Sequence, residues 1–265
     1  MADIDPLVLL TIASATAREA GALLLARRGL VHDVTTKTSD TDVVTEVDRD
    51  AEALIVSRIL GLRPADAVLG EEGGGHPGTS RVRWVIDPLD GTVNYLYGRD
   101  EFAVSIAAEV DGVAVAGAVF APATDEIFEA ALGHGATLNG APVRPTPETR
   151  LTHALVGSGF AYDAAVRVTQ GRVAARVIPR IRDLRRAGSA ALDVCAVACG
   201  RLDAYYERGV HAWDIAAASL VVREAGGMAE SLDGTPPGGT TIWIASNAGL
   251  APEFRALVTE ASTEP

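Results

Sequence analysis

Four acidic side chains in this sequence stand where chemistry, rather than solvation of a helix face, gives them a use. Glu71 follows the apolar run Ala67-Val68-Leu69-Gly70. Asp87 ends the run Trp84-Val85-Ile86, and Asp90 lies three residues on, at the mouth of a turn. Asp214 sits behind Trp213 and ahead of Ile215-Ala216-Ala217-Ala218. The ends of apolar strands and the adjacent helix starts are where α/β proteins place their sites. If these carboxylates converge they repel: a pair about 4 Å apart costs about 1 kcal/mol in water and about 4 kcal/mol at an effective dielectric of about 20. Such a group must take up protons or gather cations. Lys37 is the only lysine, and there is no His or Cys cluster. Hard divalent cations are the natural answer, and oxygen-only ligands point to magnesium, manganese or calcium rather than zinc. Taken singly, the same acids have plainer uses: Asp87 and Asp90 shaping a turn, Asp214 capping the helix after it.

Asp90-Gly91-Thr92 adds a second feature. A short helix starting here leaves the N–H groups of Gly91 and Thr92 free for an oxyanion. Gly91 lets that anion approach the backbone closely. Cations on one side and N–H groups on the other make a phosphate site that needs no arginine.

Composition sets the outer bounds. The chain has 265 residues, 48% hydrophobic and 22% charged, a globular composition with ample core. That length suits one large domain, residues 1–265, or two packed halves. The formal charge of −12 argues against a nucleic-acid groove but not against a phosphate ester held through cations. Cys195 and Cys199, four apart in an Ala/Val-rich helical stretch, read as small buried side chains. The start, Met1-Ala2-Asp3-Ile4-Asp5, is acidic where a signal peptide is basic, and the apolar stretch from Leu7 to Leu25 is broken by Arg18 and Glu19. A soluble cytoplasmic protein without a membrane span is expected.

The elements that must position the acids follow from periodicity. Leu7, Leu10, Ala13, Ala17, Ala20 and Leu24 recur at helical spacing and predict a long first helix. Thr45 with Asp48 predicts a capping box, opening a helix that carries Val47, Ala51, Leu54, Ile55 and Ile59. Strands are predicted at 67–70 and 82–87, and at 102–110 and 113–120 joined by Asp111-Gly112, a hairpin signal. A further strand at 126–131 extends this antiparallel sheet, and Asn139-Gly140 marks another turn. The second half alternates: strand 154–158, helix 164–178, strand 182–186, helix 189–198, strand 202–206, helix 212–225, strands 228–231 and 242–245, and a last helix from Ala251. The Pro-containing segment 144–150 is the best internal boundary, with halves of about 1–145 (metal site, antiparallel sheet) and 150–265 (substrate side, mixed α/β). This is layered α/β packing.

The motifs resemble those of the inositol monophosphatase family. Trp84-Val85-Ile86-Asp87-Pro88-Leu89-Asp90-Gly91-Thr92-Val93-Asn94 is similar to its first signature, and Trp213-Asp214-Ile215-Ala216-Ala217 with Glu224-Ala225-Gly226-Gly227 to its second. Gly70-Glu71-Glu72, the segment from Asp42 to Asp48, Gly188-Ser189-Ala190-Ala191 and the segment from Asp203 to Glu207 complete the set, in order, over about residues 5–260. The resemblance implies an αβαβα five-layer sandwich of the inositol monophosphatase and fructose-1,6-bisphosphatase type, usually dimeric, and magnesium-dependent, lithium-sensitive hydrolysis of a small phosphate monoester, with no nucleic-acid or membrane partner. It places the first of two or three Mg2+ ions on Glu71, Asp87 and the Leu89 carbonyl, and the second on Asp87, Asp90 and Asp214. Glu71 helps a weaker third through water, and Mn2+ can substitute. Thr92 and Asp48 orient the attacking water. Gly91 and Thr92 present N–H groups to the phosphate. Asp90, Ala190 by its backbone, Glu207 and Asp214 meet the alcohol hydroxyls, with Ser189 in the same substrate-side segment. Lys37 is expected near the metal site on a mobile loop, or as a solvated loop lysine.

Glu207 narrows the substrate. A carboxylate accepts hydrogen bonds from a polyol and repels a second phosphate, which favours inositol over fructose bisphosphate or phosphoadenosine phosphate. The plainer use is to end a strand. Relatives of this type include histidinol-phosphate phosphatases, whose ammonium Glu207 could equally pair. Some bacterial relatives act as partners in transcription complexes, the non-enzymatic alternative.

Overall fold

The nine residues Val82–Asp90 (β4) show how the layers are specified. Trp84 and Ile86 pack to one side, Val85 to the other, and all three are fully buried. A strand with period two that is buried on both faces needs cover on both faces. In the computed structural model, which describes residues 4–30, 34–36, 43–73 and 75–263, both covers are helical. Pro6–Arg27 (α1) and Glu46–Leu62 (α2) supply one, with Leu9, Ala13, Ala17, Ala20 and Leu24 beside Val47, Ala51, Ile55 and Ile59. Ala190–Ala198 (α5) and Ala212–Glu224 (α6) supply the other.

β4 belongs to a seven-stranded sheet. Its order is Ala67–Gly70 (β3), β4, Ala103–Val110 (β5), Val113–Ala121 (β6), Glu126–Ala131 (β7), Ala136–Leu138 (β8) and Ala141–Pro142 (β9). β3 runs parallel to β4, and the other neighbours are antiparallel. Two hairpins turn where expected: φ is +52° and +84° at Asp111 and Gly112, and +49° and +77° at Asn139 and Gly140. A two-stranded ribbon, Val34–Thr36 (β1) with Val43–Thr45 (β2), precedes α2. The short helix Thr92–Leu96 (α3) follows β4.

The second sheet is mixed and five-stranded. Asp183–Arg185 (β11), Leu155–Ser158 (β10), Ala204–Arg208 (β12), Ile242–Asn247 (β14) and Gly227–Ser231 (β13) lie in that order. Its outer face is covered by Ala164–Val177 (α4) and Ala251–Thr263 (α7), through Val173, Val177, Phe254, Leu257 and Val258. The layers therefore run helix, sheet, helix, sheet, helix, the five-layer sandwich that the family resemblance implies. The middle layer is thin because its residues are small. A Cβ on Gly117 of β6 would lie 2.9 Å from the Ala217 Cα, so α6 rests on the sheet backbone itself. α1 is long and apolar enough to cross a membrane by composition alone, but here one face of it is buried against the seven-stranded sheet.

One departure from the expected elements matters for the site. β4 does not stop at Asp87 but continues to Asp90, with its register against β5 shifted between the two: Asp87 pairs with Ser105, and Asp90 with Ala103. Three steps on β4 thus oppose two on β5, a bulge. In a regular strand, residues three apart face opposite sides. The extra residue resets the alternation, so both aspartates reach the same cleft. Lys37 and Asp42 lie outside the described residues, and the expectations for them with it.

Candidate active site

Because β3 and β4 are parallel neighbours, their C-terminal ends lie side by side, and Glu71 comes just after one while Asp87 and Asp90 finish the other. The N-terminus of α6 brings Asp214 from the far side of the sheet. A single cleft of about 480 Å³ holds them together. Glu71, Asp87, Leu89, Asp90, Gly91, Thr92, Ser189, Ala190, Glu207 and Asp214 all line it. Of the described residues expected in the site, only Asp48 does not. It stands behind Thr92, accepting a hydrogen bond from the Thr92 hydroxyl at 3.1 Å. Its other oxygen closes the capping box, taking the Thr45 N–H at 2.9 Å.

The electrostatics of the cleft are those of crowded acids. Asp87, 1% exposed, is raised well above the usual carboxylate range by burial first, then by Glu71, Asp90 and Asp214. Asp214 is raised likewise, by burial and then by Asp90 and Glu71. Burial lifts Asp90 to about 6, against the pull of the Ser189 hydroxyl and the Ala191 N–H. No arginine among the described residues pairs with Asp87, Asp90 or Asp214. Nor, among the described residues, are three His, Cys, Asp or Glu side chains gathered to ligand spacing. What the four acids share is one cleft and one unfavourable field. An oxygen-only donor set, three of whose members, Asp87, Asp90 and Asp214, are raised by burial and by neighbouring carboxylates and pair with no arginine among the described residues, fits hard divalent cations.

Gly91 begins α3 with φ +98°, and a Cβ there would lie 2.8 Å from the Glu101 carbonyl oxygen. Only glycine suits both demands. Asp90 joins the halves of the molecule: it accepts the Ser189 hydroxyl at 2.5 Å, the Ala191 N–H at 2.7 Å and the Ala190 N–H at 3.3 Å. A carboxylate at a helix N-terminus is a favourable arrangement. Ser189 and Ala190 thus direct their donors at Asp90. Asp214 serves two ends as well, accepting the His211 N–H at 2.7 Å as a cap while facing the cleft. Capping and site membership, alternatives in the sequence, coexist here.

The opposite end of the cleft is built on β12. The Tyr205 hydroxyl donates to Glu207 at 2.5 Å. Burial pushes Glu207 up to about 7, with Tyr205 and Arg186 opposing and Asp90 adding to the rise. Two residues here escaped the sequence reading. Asp193, 5% exposed, is pushed up to about 8 by burial, then by Glu207 and Asp90. Its signal was a lone charge in the apolar helix Ala190-Ala191-Leu192-Asp193-Val194-Cys195. Arg186 also lines the cleft, at this end, where the guanidinium lies near Glu207 and Asp193.

Two supporting residues were missed as well. Glu52, buried on α2, accepts the Glu72 N–H at 2.9 Å, and its carboxylate lies where a Cβ on Gly70 would be, at 2.3 Å. It holds the turn that presents Glu71. Asn94 donates to the carbonyls of Glu101 at 2.6 Å and Ala187 at 2.9 Å, tying α3 to the segment before α5.

A five-layer sandwich with acids at its strand ends beside a helix N-terminus is the framework of a phosphatase. The chain belongs to the inositol monophosphatase family, whose model matches residues 5–262. The family is metal-dependent. The inositol-1-monophosphatase of Mycobacterium bovis is 44% identical, over 97% of this chain and 95% of its own. The structure of Mycobacterium tuberculosis SuhB superposes with a TM-score of 0.85 at 42% identity, covering 98% of each chain. A Salmonella typhimurium relative named Nus factor SuhB is 39% identical over 85% of this chain and 86% of its own.

Proposed function

We propose that this phosphatase hydrolyses myo-inositol 1-phosphate to myo-inositol and phosphate, with magnesium as its cation and manganese as a possible substitute. The supporting observation is that the Glu207 carboxylate faces the same cleft as Glu71, Asp87, Asp90 and Asp214. Glu71, Asp87 and the Leu89 carbonyl would hold one ion. Asp87, Asp90 and Asp214 would hold a second, and Glu71 would help a third through water. When bound, such ions neutralise phosphoryl and leaving-group oxygens and acidify water.

The rest falls to the chain itself. The Gly91 and Thr92 N–H groups receive the phosphate oxygens. The Thr92 hydroxyl, 3.1 Å from both Asp48 and the Leu89 carbonyl, orients the attacking water with Asp48 behind it. Glu207, fixed by Tyr205, accepts from ring hydroxyls, with Asp214 and Asp90 beside it. A second phosphate at this end meets a carboxylate, which disfavours bisphosphates. An amino-alcohol ester such as histidinol phosphate is the nearest alternative. The same reading makes the enzyme a cytoplasmic homodimer, inhibited by millimolar lithium through the Asp87–Asp90–Asp214 site.

Phosphate release with magnesium from inositol 1-phosphate, histidinol phosphate, fructose 1,6-bisphosphate and phosphoadenosine phosphate tests the proposal. Inositol 1-phosphate is expected to have the highest kcat/KM; a bisphosphate in first place overturns it. The Nus-factor relatives favour a second reading, binding to a transcription complex. Asp90→Asn separates the two, since a binding role survives that change and a catalytic one does not.

A further inference from the structure

β10 and β12 are parallel neighbours whose ladder ends at Ser158 and Tyr206. Beyond that point the two chains part, and Glu207 lies in the split. A Cβ on Gly159 would stand 2.0 Å from the Glu207 Oε2, so the backbone of the loop after β10 rests on the carboxylate itself. Parting strands strand backbone groups that a ladder would have satisfied. Here one side chain takes up two of them. Gln170 accepts the Ala161 N–H at 2.8 Å through Oε1 and donates to the Arg208 carbonyl at 3.3 Å through Nε2.

Gln170 is an unusual choice for its place. It lies on the inner face of α4 with Val173, Ala174 and Val177, and is only 5% exposed. Amphipathic packing alone puts an apolar residue there, and a buried amide is costly unless both of its ends are bonded. On the same helix Arg167 donates to the carbonyls of Ala161 at 3.4 Å and Tyr162 at 3.2 Å. α4 therefore grips residues 161–163, part of one wall of the cleft that Glu207 lines, while the phosphate end stands on β3, β4, α3 and α6.

We propose that Gln170 is a positioning residue for the leaving-group end: it bridges the split between β10 and β12 at the width in which Glu207 meets an alcohol, and so sets which alcohol the enzyme accepts. This rests on the reading above that Glu207 faces the substrate alcohol. Gln170 touches no reacting atom, so its signature is selectivity rather than turnover.

Gln170→Met keeps the length and removes both hydrogen bonds. The test is steady-state hydrolysis by the intact enzyme with magnesium, on inositol 1-phosphate and on phenyl phosphate, whose leaving group has no further hydroxyl. KM for inositol 1-phosphate is expected to rise about fivefold with kcat nearly unchanged, while kcat/KM for phenyl phosphate stays within about twofold. Gln170→Glu retains an acceptor for the Ala161 N–H and is expected to recover part of the loss. Equal losses on both esters, or none on either, overturn the proposal. If Gln170→Met does not fold, Gln170→Glu carries the test by the same criterion, a rise in KM confined to inositol 1-phosphate. Glu207→Gln serves as the control. If it leaves inositol 1-phosphate kinetics untouched, the reading of Glu207 falls and this inference with it. If it shifts them and neither Gln170 variant does, the inference alone falls.

Discussion

The two ends of the cleft are held by different means. At the end proposed to take the phosphate, position comes from backbone: strand ends in register, a bulge between Asp87 and Asp90, and a glycine whose conformation and surroundings exclude any side chain. At the end proposed to take the alcohol it comes from long side chains, Glu207 against Tyr205, with Arg186 and Asp193 near them. Backbone geometry is stiff and indifferent to small sequence changes, whereas side-chain contacts can be altered one at a time. A rigid phosphate end suits chemistry common to every ester, and an adjustable alcohol end suits selection among esters.

The most disruptive test of this contrast is Asp90→Asn. It removes a proposed metal ligand and a charge while leaving an amide of the same shape, and turnover is expected to fall about 10²-fold or more on every ester. Phosphate release on inositol 1-phosphate and phenyl phosphate, with circular dichroism to establish folding, checks it. A folded variant with near wild-type turnover at saturating magnesium would remove Asp90 from the mechanism. Gly91→Ala comes next. Its φ of +98° and the 2.8 Å approach to the Glu101 oxygen make an added Cβ strained twice over. We expect a loss of about 1–3 kcal/mol in stability and at least about tenfold in kcat/KM, equal across esters. Thermal melts and kinetics on two esters measure both; a loss confined to one ester would break the division into ends.

Glu207→Gln probes the other end and should discriminate. Exchanging charge-assisted hydrogen bonds for neutral ones costs about 1 kcal/mol with a polyol, roughly fivefold in kcat/KM. The loss is larger with an ammonium substrate, and a bisphosphate gains. Mutant-to-wild-type ratios should therefore rank bisphosphate, inositol phosphate, histidinol phosphate. Equal ratios would show that Glu207 does not face the substrate.

The smallest effect concerns Asp193, pushed up to about 8 from its ordinary 3.8. A folded-state value above the unfolded one means that the native protein holds this proton more tightly. The stability it contributes is full below the unfolded value and is lost as pH rises through the folded one. Melting temperature without added metal should decline between roughly pH 4 and 8 and level off above, and Asp193→Asn should flatten that decline. Identical slopes for the two proteins would place the titration elsewhere.

Much of this was legible from residues alone. Asp111-Gly112 and Asn139-Gly140 turn as their preference for positive φ dictates, and Thr45 and Asp48 form the capping box that their spacing announces. Glu71, Asp87, Asp90 and Asp214 stand at strand ends and a helix start because apolar runs terminate there. These are short-range matters, decided within a few residues by dihedral preference, hydrogen bonding and hydrophobic period.

What only the tertiary structure decided lies across long separations. The bulge that turns Asp87 and Asp90 to one cleft depends on pairing with Ser105 and Ala103; Pro88, which cannot donate to a ladder, hints at an irregularity there but not at the register it sets. Asp193 and Glu52 read as stray charges on helices until packing brings them beside Glu207 and Glu72. Gln170 reads as one polar residue of α4 until β10 and β12 part and leave Ala161 and Arg208 in need of partners. The physical reason is common to all of them. A local pattern specifies which groups an element must bury, but which groups meet is decided when two sheets and three helical layers close on one another.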